Sequence, residues 1–451
     1  MRSTLRRAVT AAGLAGAVTA ALALAPGAVA APVAAGADGP KVEVEIPGPE
    51  RGTAAGSGHI LVPAEGRDRP APRLSATQRA ADGEVTRIVG SGSTADRLDI
   101  VVLGDGYTAA ELPKFQQDAR AMWGALAEVE PYTTYQNLFN VWTVDAVSRQ
   151  SGVTGDPDRA TVRDTALGSY FWCADIERLL CIDQTKVDGY VAKAPEADLV
   201  VVLANSQKYG GAGYNQPSAT YGYEGISTAS AGNAKSGQVA IHETGHSLGK
   251  LADEYFYPGT PGYERYEGAE PADSNSSLLT ATDMAAQRVK WHRWLGETSP
   301  DGGTVGTYEG GNYFVSGIYR PTENSMMRAV DKPFNLPGVE AMIAGFYRHA
   351  EVATSLVRTD RTLRLGQSAK VSVPRLTGAD GKQLRIRWFL DGKELRFAAG
   401  KATVRVSSLL PRLLDLRPHT LSVTVDDRTT AVRDPKIRET LSSTVSWKVR
   451  F

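Results

Sequence analysis

The sequence predicts a mixed α/β domain followed by a small β-sandwich, and three observations carry that prediction. Leu98 to Leu103 is an apolar run that reads as a strand, and Asp198 to Leu203 is another, continuous enough to be central and buried. Helical patterns lie between and after them, and strands alternating with helices imply a layered α/β arrangement. From Ser368 onward the texture changes to short alternating strands separated by turn residues such as Asp391-Gly392 and Asp426-Asp427.

The 451 residues suffice for two or three domains. A hydrophobic content of 42% and a charged content of 22% are ordinary for a globular protein. Lys plus Arg equals Asp plus Glu, at 50 each. Nothing in that balance favours nucleic acid or an anionic membrane as partner.

Residues 1–30 read as an export signal: Arg2, Arg6 and Arg7, an apolar run from Ala8 to Ala25, then Ala28-Val29-Ala30 as small residues for cleavage. The expected product is secreted and extracellular, with no stable membrane association. Residues 31–90, rich in Ala, Gly, Pro and Arg, read as a partly disordered propeptide or linker with brief strand-like pieces at Lys41–Ile46 and His59–Val62. They hold no cysteine, so a thiolate cap on a metal is excluded there, while a carboxylate cap is open.

The mixed α/β domain is expected over residues 91–357. After Leu98–Leu103 and the turn Gly104-Asp105-Gly106, Thr108 can cap a helix from about Ala109 to Val129. Asn137 to Val147 reads as a second strand. Gly210-Gly211-Ala212-Gly213 then breaks the pattern, and Ser218 to Glu224 is expected as an edge strand. A helix from about Gly237 to Gly249 follows, another near Thr280–Trp294, and an amphipathic helix from Glu340 to Leu356 closes the domain. The sandwich over residues 366–451 is built from Ala369–Val373, Leu384–Leu390, Ala402–Val406, His419–Val425 and Thr444–Phe451, with Trp388 in its core.

His242-Glu243-Thr244-Gly245-His246 spells H-E-x-x-H. Side chains four apart on a helix share a face, so both imidazoles can converge on one divalent metal, with Glu243 beside them as a base for water. Were the helix to continue, Asp253 would lie roughly 10 Å beyond His246, too far for zinc bonds of about 2 Å. The chain must therefore turn back near Gly249 for Asp253 or Glu254 to become the third ligand. The bland alternative is a surface helix with two solvated histidines.

The segment His242 to Tyr255 resembles the zinc-binding segment of the IgA-peptidase family of secreted metallopeptidases, which is related to the metzincins. The resemblance extends to Arg97–Tyr107, Gly168–Cys173 and Asn324-Ser325-Met326-Met327-Arg328, so it covers roughly residues 90–357. It implies a metzincin-like zinc peptidase domain with a mixed sheet and an active-site helix. It also implies one catalytic Zn2+ on His242, His246 and Asp253, although common metzincins carry a third histidine where Ala252 stands here. Met326 or Met327 would form an apolar floor beneath the metal, and Tyr319 or Tyr255 would help hold the oxyanion.

Cys173 and Cys181 are the only cysteines and are expected to pair in an exported chain. His59, His292, His349 and His419 lack ligand-like spacing and read as ordinary surface or core residues, and Asp105 as turn chemistry. The preferred function is a monomeric zinc endopeptidase in which Glu243 takes a proton from water, acting on a protein or peptide substrate. Two alternatives are a binding or adhesion protein with a vestigial metal site and an immunoglobulin-like sandwich for recognition, and a cell-wall peptide amidase.

Overall fold

The computed structural model describes residues 40–48, 58–65, 74–376, 383–415 and 417–450. The expected export signal lies outside the described residues.

Eight strands form one mixed sheet: β1 (Lys41–Ile46), β2 (Gly58–Pro63), β3 (Val85–Gly90), β4 (Leu98–Asp105), β5 (Phe139–Val144), β6 (Leu199–Ala204), β7 (Gly211–Tyr214) and β8 (Ile226–Ser230), in spatial order β2-β1-β7-β8-β6-β4-β5-β3. β5, β4, β6 and β8 run parallel, whereas β7, β1, β2 and β3 are antiparallel to their neighbours. Every residue of β4 and β6 is buried, as their unbroken apolar runs require.

The period-two alternation of these strands feeds two cores. Ile100, Val102, Val201 and Leu203 pack with Phe115 and Met122 of the helix Leu112–Ala127 and with Ala240 and Ile241 of the helix Ser236–Ser247. Val101, Val200 and Val202 face the other way, onto Val187 of the helix Gln184–Val191 and onto Val44 of β1. Thr108 and Glu111 close the capping box that starts the Leu112 helix region.

Several boundaries differ from the sequence reading. The sheet includes β1, β2 and β3, all of which precede residue 91. Ser218 to Glu224 is a compact turn closed by Ser218 N–H to the Tyr223 carbonyl, and the strand beside the metal-site helix is instead β7. β7 looked like a loop because it is Gly-Ala-Gly-Tyr. Its glycines are bare so that the helix can lie on it: a Cβ on Gly211 would sit 2.8 Å from Val239 Cγ1. The closing helix runs Leu336–His349, capped by Asn335, and the Thr280 helix stops at Gln287.

Beyond it, β11 (Thr354–Ser355), β12 (Ser368–Ser372) and β15 (Thr403–Arg405) form one small sheet, and β13 (Leu384–Leu390), β14 (Lys393–Glu394), β16 (His419–Asp427) and β17 (Ser442–Val449) another. β9 (Tyr308–Gly311) and β10 (Phe314–Arg320) make a separate hairpin. Trp388 is fully buried against Trp447 between the C-terminal strands. Their core is continuous with that of the large sheet through Phe346 and Tyr347, and Tyr135 and Tyr347 both donate to Asp427 Oδ2.

Candidate metal centre

The helix Ser236–Ser247 is buried along its whole second half, so its histidines are not the solvated pair of a surface helix. Each ring is aimed from behind. His242 Nδ1 donates to the Met326 carbonyl at 2.9 Å and His246 Nδ1 to the Leu251 carbonyl at 2.6 Å. A neutral imidazole that donates through Nδ1 leaves Nε2 as a bare lone pair, and the two Nε2 atoms lie 3.2 Å apart.

The helix ends in an αL turn, with Lys250 N–H bonding to the His246 carbonyl and Leu251 N–H reaching back to the Gly245 carbonyl. The residue with positive φ is Lys250, at 50°, not Gly249. Gly249 matters for space: a Cβ there would lie 2.6 Å from the Gly245 carbonyl oxygen and 2.8 Å from Met342 Sδ. This turn brings Asp253 Oδ1 to 3.3 Å from both Nε2 atoms. Glu254 points away, accepting from Asn275, Asn335 and Ser325, and so braces the loop rather than the metal position.

A fourth group arrives that the motif does not contain. Glu45 of β1 places Oε1 3.0 Å from His242 Nε2 and Oε2 2.8 Å from His246 Nε2, and it is fully buried. Donors bound to zinc at about 2 Å in a tetrahedron are about 3.3 Å from one another, close to the 2.8–3.3 Å separations found here. Two imidazole nitrogens and two carboxylate oxygens suit a zinc ion in type and number. The charge argument agrees. Burial alone would keep the imidazoles neutral, yet the buried Asp253 and Glu45 raise both well above 6.5, so the two carboxylates favour positive charge between them.

Glu243 lies one residue along and is fully buried with neither carboxylate oxygen hydrogen-bonded. Burial, then the charge of Glu45, pushes its carboxyl well above 4.5. It rests on the backbone of β7: a Cβ on Gly213 would be 1.9 Å from Glu243 Oε2.

Met327 lies under the helix, where a Cβ on Gly245 would be 2.5 Å from its Sδ, and Met326 supplies the carbonyl that orients His242. Tyr255 lies beside the His242 ring and donates to Glu45 Oε1 at 3.3 Å. Tyr319 stands on β10, where its backbone pairs with Ser277, and is not brought to this cluster. Cys173 and Cys181 form a disulfide, and the loop they close leans on Gly211 of β7.

Tyr313 escaped the sequence reading. It donates to Asp253 Oδ2 at 2.6 Å and accepts from His59 Nδ1 at 2.6 Å. Asn312 and Tyr313, at φ 47° and 74°, form the two-residue turn between β9 and β10. Tyrosine is a costly occupant of a left-handed position, by about 1–2 kcal/mol, and the Asp253 contact accounts for its presence. A cavity of about 330 Å³ opens here, bordered by His59, Asn215, His246, Asp253 and Tyr313.

The sequence matches the family described as IgA Peptidase M64 over residues 86–301 and 299–346, more than half of the chain. The chain belongs to the IgA peptidase M64 family. This M64 protein is therefore a metallopeptidase, a class that implies a metal ion, and the match ends before the C-terminal strands. No curated protein matches it.

Proposed function

We propose that this M64 peptidase is a secreted zinc endopeptidase that uses His242, His246 and Asp253 as its protein ligands and Glu243 as general base. The observation that carries this reading is Glu243 itself: a buried carboxylate with both oxygens unbonded beside the donor cluster has no structural reason to be there. A zinc ion in this site would polarise the scissile carbonyl and acidify water. Glu243, its carboxyl poised well above 4.5, then takes the water proton and returns it to the leaving amine nitrogen. Tyr255 is placed to donate toward the carbonyl oxygen, and an extended substrate would pair with β7 through backbone groups. Met327 beneath the helix and the αL turn that leads to the third ligand support a metzincin-like arrangement. The two C-terminal sheets are read as an immunoglobulin-like sandwich.

Secretion is supported by the pattern of residues 1–30 and by the disulfide. Among the described residues no helix is long and apolar enough to cross a membrane. Peptide-library cleavage by the purified secreted protein, with and without a chelator, tests the reading. Glu243→Gln is expected to keep its metal by elemental analysis and to lose about 10²–10⁴ in kcat. Chelator-insensitive cleavage, or unimpaired cleavage by that variant, overturns it.

A further inference from the structure

We infer that the β1–β2 hairpin is a built-in inhibitor: β1 lies in the substrate groove along β7 and Glu45 occupies the fourth ligand position. This rests on the metal reading of the site and goes beyond it, to how the enzyme is kept inactive.

Strand register is the first support. In β1, Val42, Val44 and Ile46 pack into the core on the face away from the metal, so period-two alternation turns Glu45 toward the imidazoles. Glu45 is paired with Gly213, the residue on which Glu243 rests, so the same backbone position registers both carboxylates.

The second support is the ligand count. A catalytic site keeps one position open for water, while four protein ligands make a closed site. With Glu45 in place, His242, His246, Asp253 and Glu45 close it, and Glu243 is left as a base with nothing to act on. A purely structural site would have no use for Glu243.

The third support is how few backbone pairs join the hairpin to β7, its other anchorage being the apolar side chains of Val42, Val44, Ile46 and Val62. Its ladder pairing with β7 is confined to Glu45 and Gly213. Around that pair, Asn215 donates to Glu45, Arg178 to the Pro47 carbonyl and Tyr209 to the Gly48 carbonyl. β2 adds His59, bonded to Tyr313 over Asp253. A strand so held can be displaced by a cut after β2. Its departure would free β7, the Tyr313 face and the fourth ligand position together.

The test compares the whole secreted chain with Glu45→Ala, using Glu43→Ala as control because Glu43 is exposed on the same strand. Each protein is loaded with Co2+ in place of zinc for its visible spectrum, and with Zn2+ for casein cleavage. Glu45→Ala is expected to hold one metal per chain, to shift the Co2+ spectrum through loss of a carboxylate, and to cleave at least about tenfold faster. Glu43→Ala should match the wild type in both. Equal, measurable cleavage by the wild type and Glu45→Ala overturns the latency, whatever the spectra, while leaving the peptidase reading intact. A spectral shift with no cleavage by any of the three proteins keeps Glu45 as a ligand and brings down the peptidase reading instead.

Discussion

Two regions of the molecule each deliver one carboxylate to the same pair of imidazoles. The loop after the helix delivers Asp253 through an αL turn seven residues beyond His246, locked by backbone bonds to the helix itself. The N-terminal hairpin delivers Glu45 from 197 residues before His242, on a strand joined to the sheet by a single registered pair. The distances to the histidines are alike, but the attachments are not. Asp253 is further gripped by Tyr313, and its loop by the Glu254 network, whereas Glu45 has only Asn215 and Tyr255 besides the histidines. A permanent ligand and a removable one are told apart by what lies behind them.

Breaking the permanent side should produce the largest effect. Asp253→Ala is expected to weaken zinc binding by more than about 100-fold, beyond the 10–100-fold typical of losing an outer partner of a metal ligand. Titration against a competing chelator reads this, and near-normal affinity would mean that the two carboxylates are interchangeable. Tyr313→Phe removes only the hydroxyl behind Asp253 and should cost about 10–100-fold in the same titration. An unchanged affinity would leave the left-handed tyrosine without a purpose.

Gly213→Ala attacks the position the two sides share. Its methyl would enter the space of Glu243 Oε2, so a loss of about 1–3 kcal/mol in urea unfolding is expected, together with loss of cleavage. The smallest effect lies at the outer anchor of the Asp253 turn. Lys250 pairs with Glu224, which with Asp198 clamps His349 at 2.9 Å on both ring nitrogens. Burial alone would lower the His349 pKa, but these two carboxylates raise it above 6.5. A raised histidine stabilises fully below its unfolded value, and that contribution fades as pH rises through the folded one. The thermal midpoint of the wild type should thus fall toward that of His349→Gln above about pH 6.5, from an advantage of about 1–3 kcal/mol at lower pH. A constant gap between the two would show that His349 is held by packing alone.

How much was legible in the sequence follows the same division. Helix periodicity puts His242 and His246 on one face, whereas the spacing leaves Asp253 and Glu254 both open and only the family resemblance points to Asp253; the left-handed residue is Lys250 rather than the expected glycine. The buried strands β4 and β6 read correctly because burial on both faces leaves an unmistakable apolar run. Glu45 and Tyr313 depend on long-range pairing, which leaves no periodic trace. β7 was passed over for Ser218–Glu224 because strand patterns are recognised by side chains, and β7 gives its side chains up to make room for the helix. Whether a carboxylate of residues 31–90 caps the site is open in the sequence, and the register of β1 against β7 is what puts Glu45 beside the histidines.

The shared Asp427 contact of Tyr135 and Tyr347 has a consequence for how the molecule responds to proteolysis. Trimming of the final strands by another protease would not liberate an intact smaller enzyme. It would strand two buried phenols and bare the Phe346 cluster to water, so the trimmed remnant should precipitate rather than persist.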